Sequence, residues 1–235
     1  MYSYQLETQD IPLERRAVLR LLGRETAELT AALEQSLCRQ EVLIRTKSQH
    51  RYFACRESRS SLAPLLLGKD IQRHLGPCTE VVILAASLGP EPDLLIRRAQ
   101  LQDMGEAMVL DAVASAYVEA LADAAEEQLR QHFRKSDWAL STRFAPGYGD
   151  FPLSSLPGLL ACVFKDNAQI HCDAQGLMQP LKSIVTVLGL APGKALDIQA
   201  ETENSCDRCF MAGRCALRSR GGYCGNYKQL QAEPN

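Results

Sequence analysis

Apolar positions along this chain change their period several times, and each change marks an element. Leu13, Val18, Leu19, Leu21 and Leu22 follow Pro12 and stop at Gly23, which predicts a short helix. Leu29, Ala32, Leu33 and Leu37 recur at helical spacing and predict a second. His50 to Cys55 alternates roughly, as a half-buried strand does. Asp70 to Leu75 reads as a short helix closed by Gly76-Pro77. Val81 to Ala86 is an unbroken apolar, β-branched run, the signature of a buried strand.

The longest pattern runs from Pro92 to Phe133. Leu94, Leu95, Met104, Met108, Leu110, Val113, Tyr117, Val118 and Leu121 give an alanine-rich helical stretch one broad apolar face, with Asp and Glu opposite and Gly105 as a point of division. Glu119 lies among apolar neighbours on this stretch; a buried acid at a ligand site and an ordinary solvated or paired glutamate both fit it. Ile170 to Cys172 and Ile184 to Leu190 then read as strands. Helices and strands without regular βα alternation predict an α+β fold, with a mixed, largely antiparallel twisted sheet flanked by helices. The apolar pattern fades after Pro192. The expected organisation is therefore an N-terminal helical and strand segment at 1–64, a core at 65–200 and a Cys-rich appendage at 201–235, the first two forming one domain.

Composition narrows the function classes. With 46% hydrophobic residues, the 235-residue chain has material for a sizeable core. A net charge of −2 gives no bulk attraction to nucleic acid or anionic membranes. The polar start, Met1 to Asp10, has no signal-peptide pattern, and no run is long enough to span a bilayer, so a cytoplasmic location is expected. A strand ending at Gly89 invites a dinucleotide-type reading, but Gly89 stands alone before Pro90 where that fingerprint needs several glycines.

Candidate chemistry concentrates in Arg143-Phe144-Ala145-Pro146-Gly147-Tyr148-Gly149-Asp150-Phe151-Pro152. Two prolines fix φ and two glycines permit positive φ, so this is a shaped loop that presents backbone groups at defined points. Arg143 adds a planar fork suited to a carboxylate, and Tyr148 an aromatic face with a hydroxyl.

Arg143, Gly147, Tyr148 and Pro152, read as Arg-x-x-x-Gly-Tyr-x-x-x-Pro, resemble the S-adenosylmethionine motif of the activation (reactivation) domain of cobalamin-dependent methionine synthase. The order of Val81–Gly89 and the long helix extends that likeness to about residues 65 to 195. Met178 to Ser183 resembles the family's second ligand-facing segment. The resemblance implies that Arg143, Ala145, Pro146, Gly147, Tyr148 and Ser183 hold S-adenosylmethionine. Arg143 would take the methionyl carboxylate, Pro146 and Gly147 would offer backbone groups, and Tyr148 would border the methyl group. It further implies a partner, a cobalamin-binding methionine synthase or another corrinoid protein, and an electron donor. None of His50, His74, His132 and His171 sits in an Asp-x-His-x-x-Gly pattern, so cobalamin would be contacted only on that partner. An independent S-adenosylmethionine-dependent enzyme and a metal-binding interaction module are the competing readings.

Five cysteines, Cys38, Cys55, Cys78, Cys162 and Cys172, are scattered and read as small buried hydrophobes. Cys206, Cys209, Cys215 and Cys224 instead cluster as C-x2-C-x5-C-x8-C, four soft ligands for a [4Fe–4S] cluster or zinc. Stand-alone proteins resembling the activation domain often carry such a cysteine tail, unlike the domain fused within full-length methionine synthase, and an iron–sulfur cluster there would hint at a different electron source.

Overall fold

In the computed structural model, the placed residues are 2–4, 11–23, 30–165, 168–173, 175–193 and 213. The order of elements is β1 (Tyr2–Tyr4), α1 (Arg15–Leu21), α2 (Ala31–Lys47), β2 (Arg51–Ser58), α3 (Lys69–Leu75), β3 (Glu80–Ser87), α4 (Glu91–Gln102), α5 (Met104–Arg134) and β4 (Trp138–Leu140). A 3-10 turn (Leu153–Ser155) then leads into α6 (Leu156–Val163), followed by β5 (His171–Cys172), β6 (Met178–Gln179) and β7 (Ser183–Pro192).

Alternation along β3 sets the layering. Val82, Leu84 and Ala86 point into one core with α1, α2, α4 and α5; Val81, Ile83 and Ala85 point into another with α3 and α6. A strand buried on both faces reads as a continuous apolar run, which is why the sequence signal at Val81 to Ala86 was clear. The sheet order is β1-β2-β3-β7-β4, and every pair in it is antiparallel. β5 and β6 form a separate two-stranded ribbon. The fold is α+β, with helices on both faces of an antiparallel sheet.

Two expectations need adjustment. The long helical stretch divides at Asp103, not at Gly105: Asp103 is extended and its carboxylate accepts the Gly105 and Glu106 N–H groups as the N-cap of α5. Met104, Met108 and Leu94 consequently face outward, and α5 is buried between the sheet and its neighbouring helices α1, α2 and α4 through Ala107, Ala112, Ala114, Ala116, Ala120, Ala122 and Ala125 together with Val113, Tyr117 and Leu121. Small residues let a helix approach its neighbours closely, so alanine defines the buried surface of α5 more than the large apolar residues do. Of the scattered cysteines, Cys55 and Cys78 are buried, Cys162 and Cys172 are partly covered, and Cys38 is exposed. Burial raises the Cys55 thiol to about 12, as expected of an inert core residue.

Candidate ligand-binding site

The site grows from an incomplete sheet edge. β7 pairs with β3 from Ser183 to Leu190, but on its other side it meets β4 only at Leu190 to Pro192. The chain leaving β4 keeps contact for a few residues: Ser141 N–H donates to Gly189 O at 2.8 Å, and Phe144 and Val187 exchange both backbone hydrogen bonds at 2.9 and 2.8 Å. Then Pro146, which has no N–H and a fixed φ, turns the chain away. Val185, two residues from Val187, aims its N–H and C=O to the same side, and no strand among the described residues covers it. The motif loop thus starts where the sheet edge opens.

The loop itself is closed by its own backbone. Gly147 N–H donates to Phe151 O at 2.7 Å, Tyr148 N–H to Ala145 O at 3.1 Å and Phe151 N–H to Tyr148 O at 3.0 Å. Gly147 has φ 94°, a conformation that a residue with a Cβ adopts only under strain. Pro146 and Phe151 are buried, whereas Tyr148 is 65% exposed, its ring 6.4 Å from that of Phe144. Leu153, whose side chain lies against Gly147 and Gly176, and Leu177 are also exposed.

Arg143 does not reach freely into solvent. Its side chain is 6% exposed and lies against α5: Nη2 donates to Asp123 Oδ1 at 2.6 Å, Nε to Glu126 Oε2 at 3.0 Å, and Nη1 lies 3.6 Å from Glu119 Oε2. Arg130 shares Glu126 through Oε1 at 2.5 Å. Burial pushes the Glu126 carboxyl above its ordinary value, with Arg130 and Arg143 opposing the shift. Three carboxylates therefore meet two guanidiniums, and Glu119 and Asp123 remain substantially exposed. One turn along α5, Lys182 donates to both Asp111 and Ser115 at 2.8 Å. Asp111, Ser115, Glu119 and Asp123 recur every four residues, so one polar stripe of α5 runs beside the open edge of β7.

Strand alternation separates two of the expected ligand residues. Leu188 and Leu190 of β7 face α5, and Val185 and Val187 face α3 and α6. Ser183 falls on the latter side, buried, its hydroxyl donating to Pro180 O at 2.7 Å and lying 2.9 Å from Ser87 Oγ. Its hydroxyl is committed inside the protein, on the face away from Arg143. Thr186 falls on the α5 side, and its buried Oγ1 has no hydrogen-bond partner among the described residues. A buried hydroxyl without a partner carries a desolvation cost. Sequence reading offers only a hint of Glu119 and none of Asp123, Glu126 or Lys182, because their approach to one another and to Arg143 depends on how α5 crosses the sheet.

Cys206, Cys209, Cys215 and Cys224 lie outside the described residues. Among those described, no group of three or more His, Cys, Asp or Glu side chains could hold a metal ion. No described helix is long and apolar enough to cross a membrane.

No family model matches the sequence, and no curated protein matches it. Among solved structures, the crystal structure of the MetH reactivation domain bound to AdoHcy is similar to this chain at 16% sequence identity and a TM-score of 0.46, over 77% of this chain and 71% of that one.

Proposed function

We propose that the chain binds S-adenosylmethionine where the Arg143–Pro152 loop leaves the open edge of β7, and that it serves a separate cobalamin-dependent methionine synthase as a reactivation subunit. The observation that carries this reading is the placement of the whole Arg-x-x-x-Gly-Tyr-x-x-x-Pro motif as a backbone-closed bend beside uncovered strand groups and a stripe of mixed charge. S-Adenosylmethionine is a zwitterion with an added sulfonium. Its carboxylate suits Arg143, and its cationic ammonium and sulfonium suit the surplus carboxylates of Glu119 and Asp123. Ala145, Pro146, Gly147 and the Val185 edge supply backbone partners; Tyr148 flanks the methyl group from the solvent side. Ser183 contributes through the position it gives β7, its hydroxyl being committed elsewhere.

The reaction served is a one-electron reduction of cob(II)alamin on the partner, followed by attack of cobalt(I) on the sulfonium methyl. Methylcobalamin forms and S-adenosylhomocysteine leaves. The contribution of this chain is to hold the methyl group exposed and oriented. Cys206, Cys209, Cys215 and Cys224 are proposed as ligands of a [4Fe–4S] cluster or zinc; iron and sulfide analysis of anaerobically purified protein separates the two.

Calorimetry with S-adenosylmethionine tests the reading. Arg143→Lys keeps the charge and loses the fork, so affinity should fall by about tenfold. Equal affinity of the variant, or no binding to the wild-type chain, rejects it. A partner lacking its own reactivation domain should gain a methylcobalamin spectrum when given this chain, S-adenosylmethionine and a reductant.

A further inference from the structure

The far end of the loop is tied to α3, an element the motif does not include. Asp150 Oδ2 accepts the Lys69 N–H at 2.6 Å, and Oδ1 accepts the Asp70 N–H at 2.9 Å. Asp70 Oδ2 in turn accepts the Asp150 N–H at 3.3 Å. Each aspartate thus holds the backbone of the other's segment. The approach is close enough that both neighbours have to be glycine. A Cβ at Gly68 (φ 110°) would sit 2.5 Å from Asp150 Oδ1 and 2.6 Å from its carbonyl oxygen; one at Gly149 (φ 56°) would press on the Asp70 carboxylate, with Cγ 3.0 Å away. The hydrogen bonds from Asp70 and Lys69 also hold the Asp150 carboxyl below its ordinary value.

One turn further along the same face of α3, His74 lies against the loop's other flank. Its Nε2 is 2.8 Å from Thr142 O, and its ring centroid is 5.0 Å from that of Phe144. α3 is itself held in place. Ile71 and Leu75 are buried, and Arg59 donates to Gly76 O at 2.7 Å and to Cys78 O at 3.2 Å, just past the helix.

We infer that α3 is a splint for the ligand loop and that Asp150 is a positioning residue for S-adenosylmethionine binding. This rests on the proposal that the ligand binds this loop. A bend of two glycines and two prolines between Arg143 and Pro152 has many conformations unless both flanks are fixed, and binding to a loose loop would lose affinity to the cost of ordering it. Asp150 contacts no ligand atom in this scheme; it acts by keeping Gly147, Tyr148 and Phe151 in register with Arg143.

The test combines amide hydrogen exchange with calorimetry on the full chain. In the wild type, the Gly147 and Phe151 amides should be protected. Asp150→Ala should strip that protection while leaving the β3 and β7 amides unchanged, and should weaken S-adenosylmethionine binding roughly tenfold. Asp150→Asn retains one acceptor and should fall between the two; it also serves if the alanine variant fails to fold. Adding Asp70→Ala to Asp150→Ala should cost little more, because the two aspartates form one brace. Retained Gly147 and Phe151 protection together with wild-type affinity in Asp150→Ala overturns the inference and leaves the ligand assignment standing. If the wild type binds no S-adenosylmethionine, the ligand assignment fails and the exchange result alone decides whether α3 splints the loop.

Discussion

The two ends of the motif loop are held by different physics. At Arg143 the bonds run between side chains, and two of the three carboxylates, Glu119 and Asp123, keep much of their surface in water. At Asp150 a carboxylate is bonded to backbone N–H groups of a buried-faced helix whose other end is also capped. The exposed Glu119 and Asp123 carboxylates can give up their share of the buried Arg143 at little cost, since water replaces what they lose. Backbone amides have no such freedom, because moving them moves the helix. The contrast gives one adjustable end and one fixed end; under the proposed function, a ligand carboxylate would replace Asp123 at the first while the second keeps the bend in shape.

Breaking the fixed end should have the largest effect. Gly149→Val forces a β-branched residue into positive φ against Asp70 and should lower stability by about 3 kcal/mol, read by denaturant unfolding. Arg143→Ala leaves Glu126 with Arg130 as its remaining guanidinium and should cost about 2 kcal/mol in the same measurement. Asp123→Asn, which frees the adjustable end, should change stability by only about 0.5 kcal/mol and should tighten S-adenosylmethionine binding a few-fold, because the ligand carboxylate no longer competes with it.

The ends should also respond oppositely to pH. Glu126, with its carboxyl raised by burial, favours the folded state at low pH and loses that contribution as pH rises through its folded pKa, which lies above 4.5. Asp150, with its carboxyl lowered by the amide bonds, contributes fully above its unfolded value near 3.8 and loses that contribution as pH falls toward its folded pKa. Comparing the pH dependence of unfolding for wild type, Glu126→Gln and Asp150→Asn should therefore show differences of opposite slope. Slopes of the same sign would mean that the two ends are not electrostatically distinct.

Legibility from the sequence followed the strength of local signals. β3, β7 and the long helices were readable because burial on one or both faces imposes a period over many residues. α6 and β4 left no such trace: α6 is a single apolar octapeptide without a polar face, and β4 has three residues. Within the site, the bend was visible because Pro146 and Pro152 fix their own φ and Gly147 and Gly149 open positive φ. Its electrostatic surroundings were not: nothing near Arg143 in the sequence shows that its fork is shared among the α5 carboxylates.

What the sequence determined by itself, then, is the strongly periodic elements and the existence of a shaped, chemically distinctive loop, since these arise from periodicity, from the fixed φ of proline and from the positive φ open to glycine. Tertiary structure alone decided that β7 has an uncovered edge there, that the α5 carboxylates line it, and that α3 clamps Asp150. Glu119 and Asp123 lie 24 and 20 residues from Arg143, and Asp70 lies 80 from Asp150. Charges so far apart along the chain interact only after the sheet and helices have packed, and nothing in their local sequence records which partner the packing will bring.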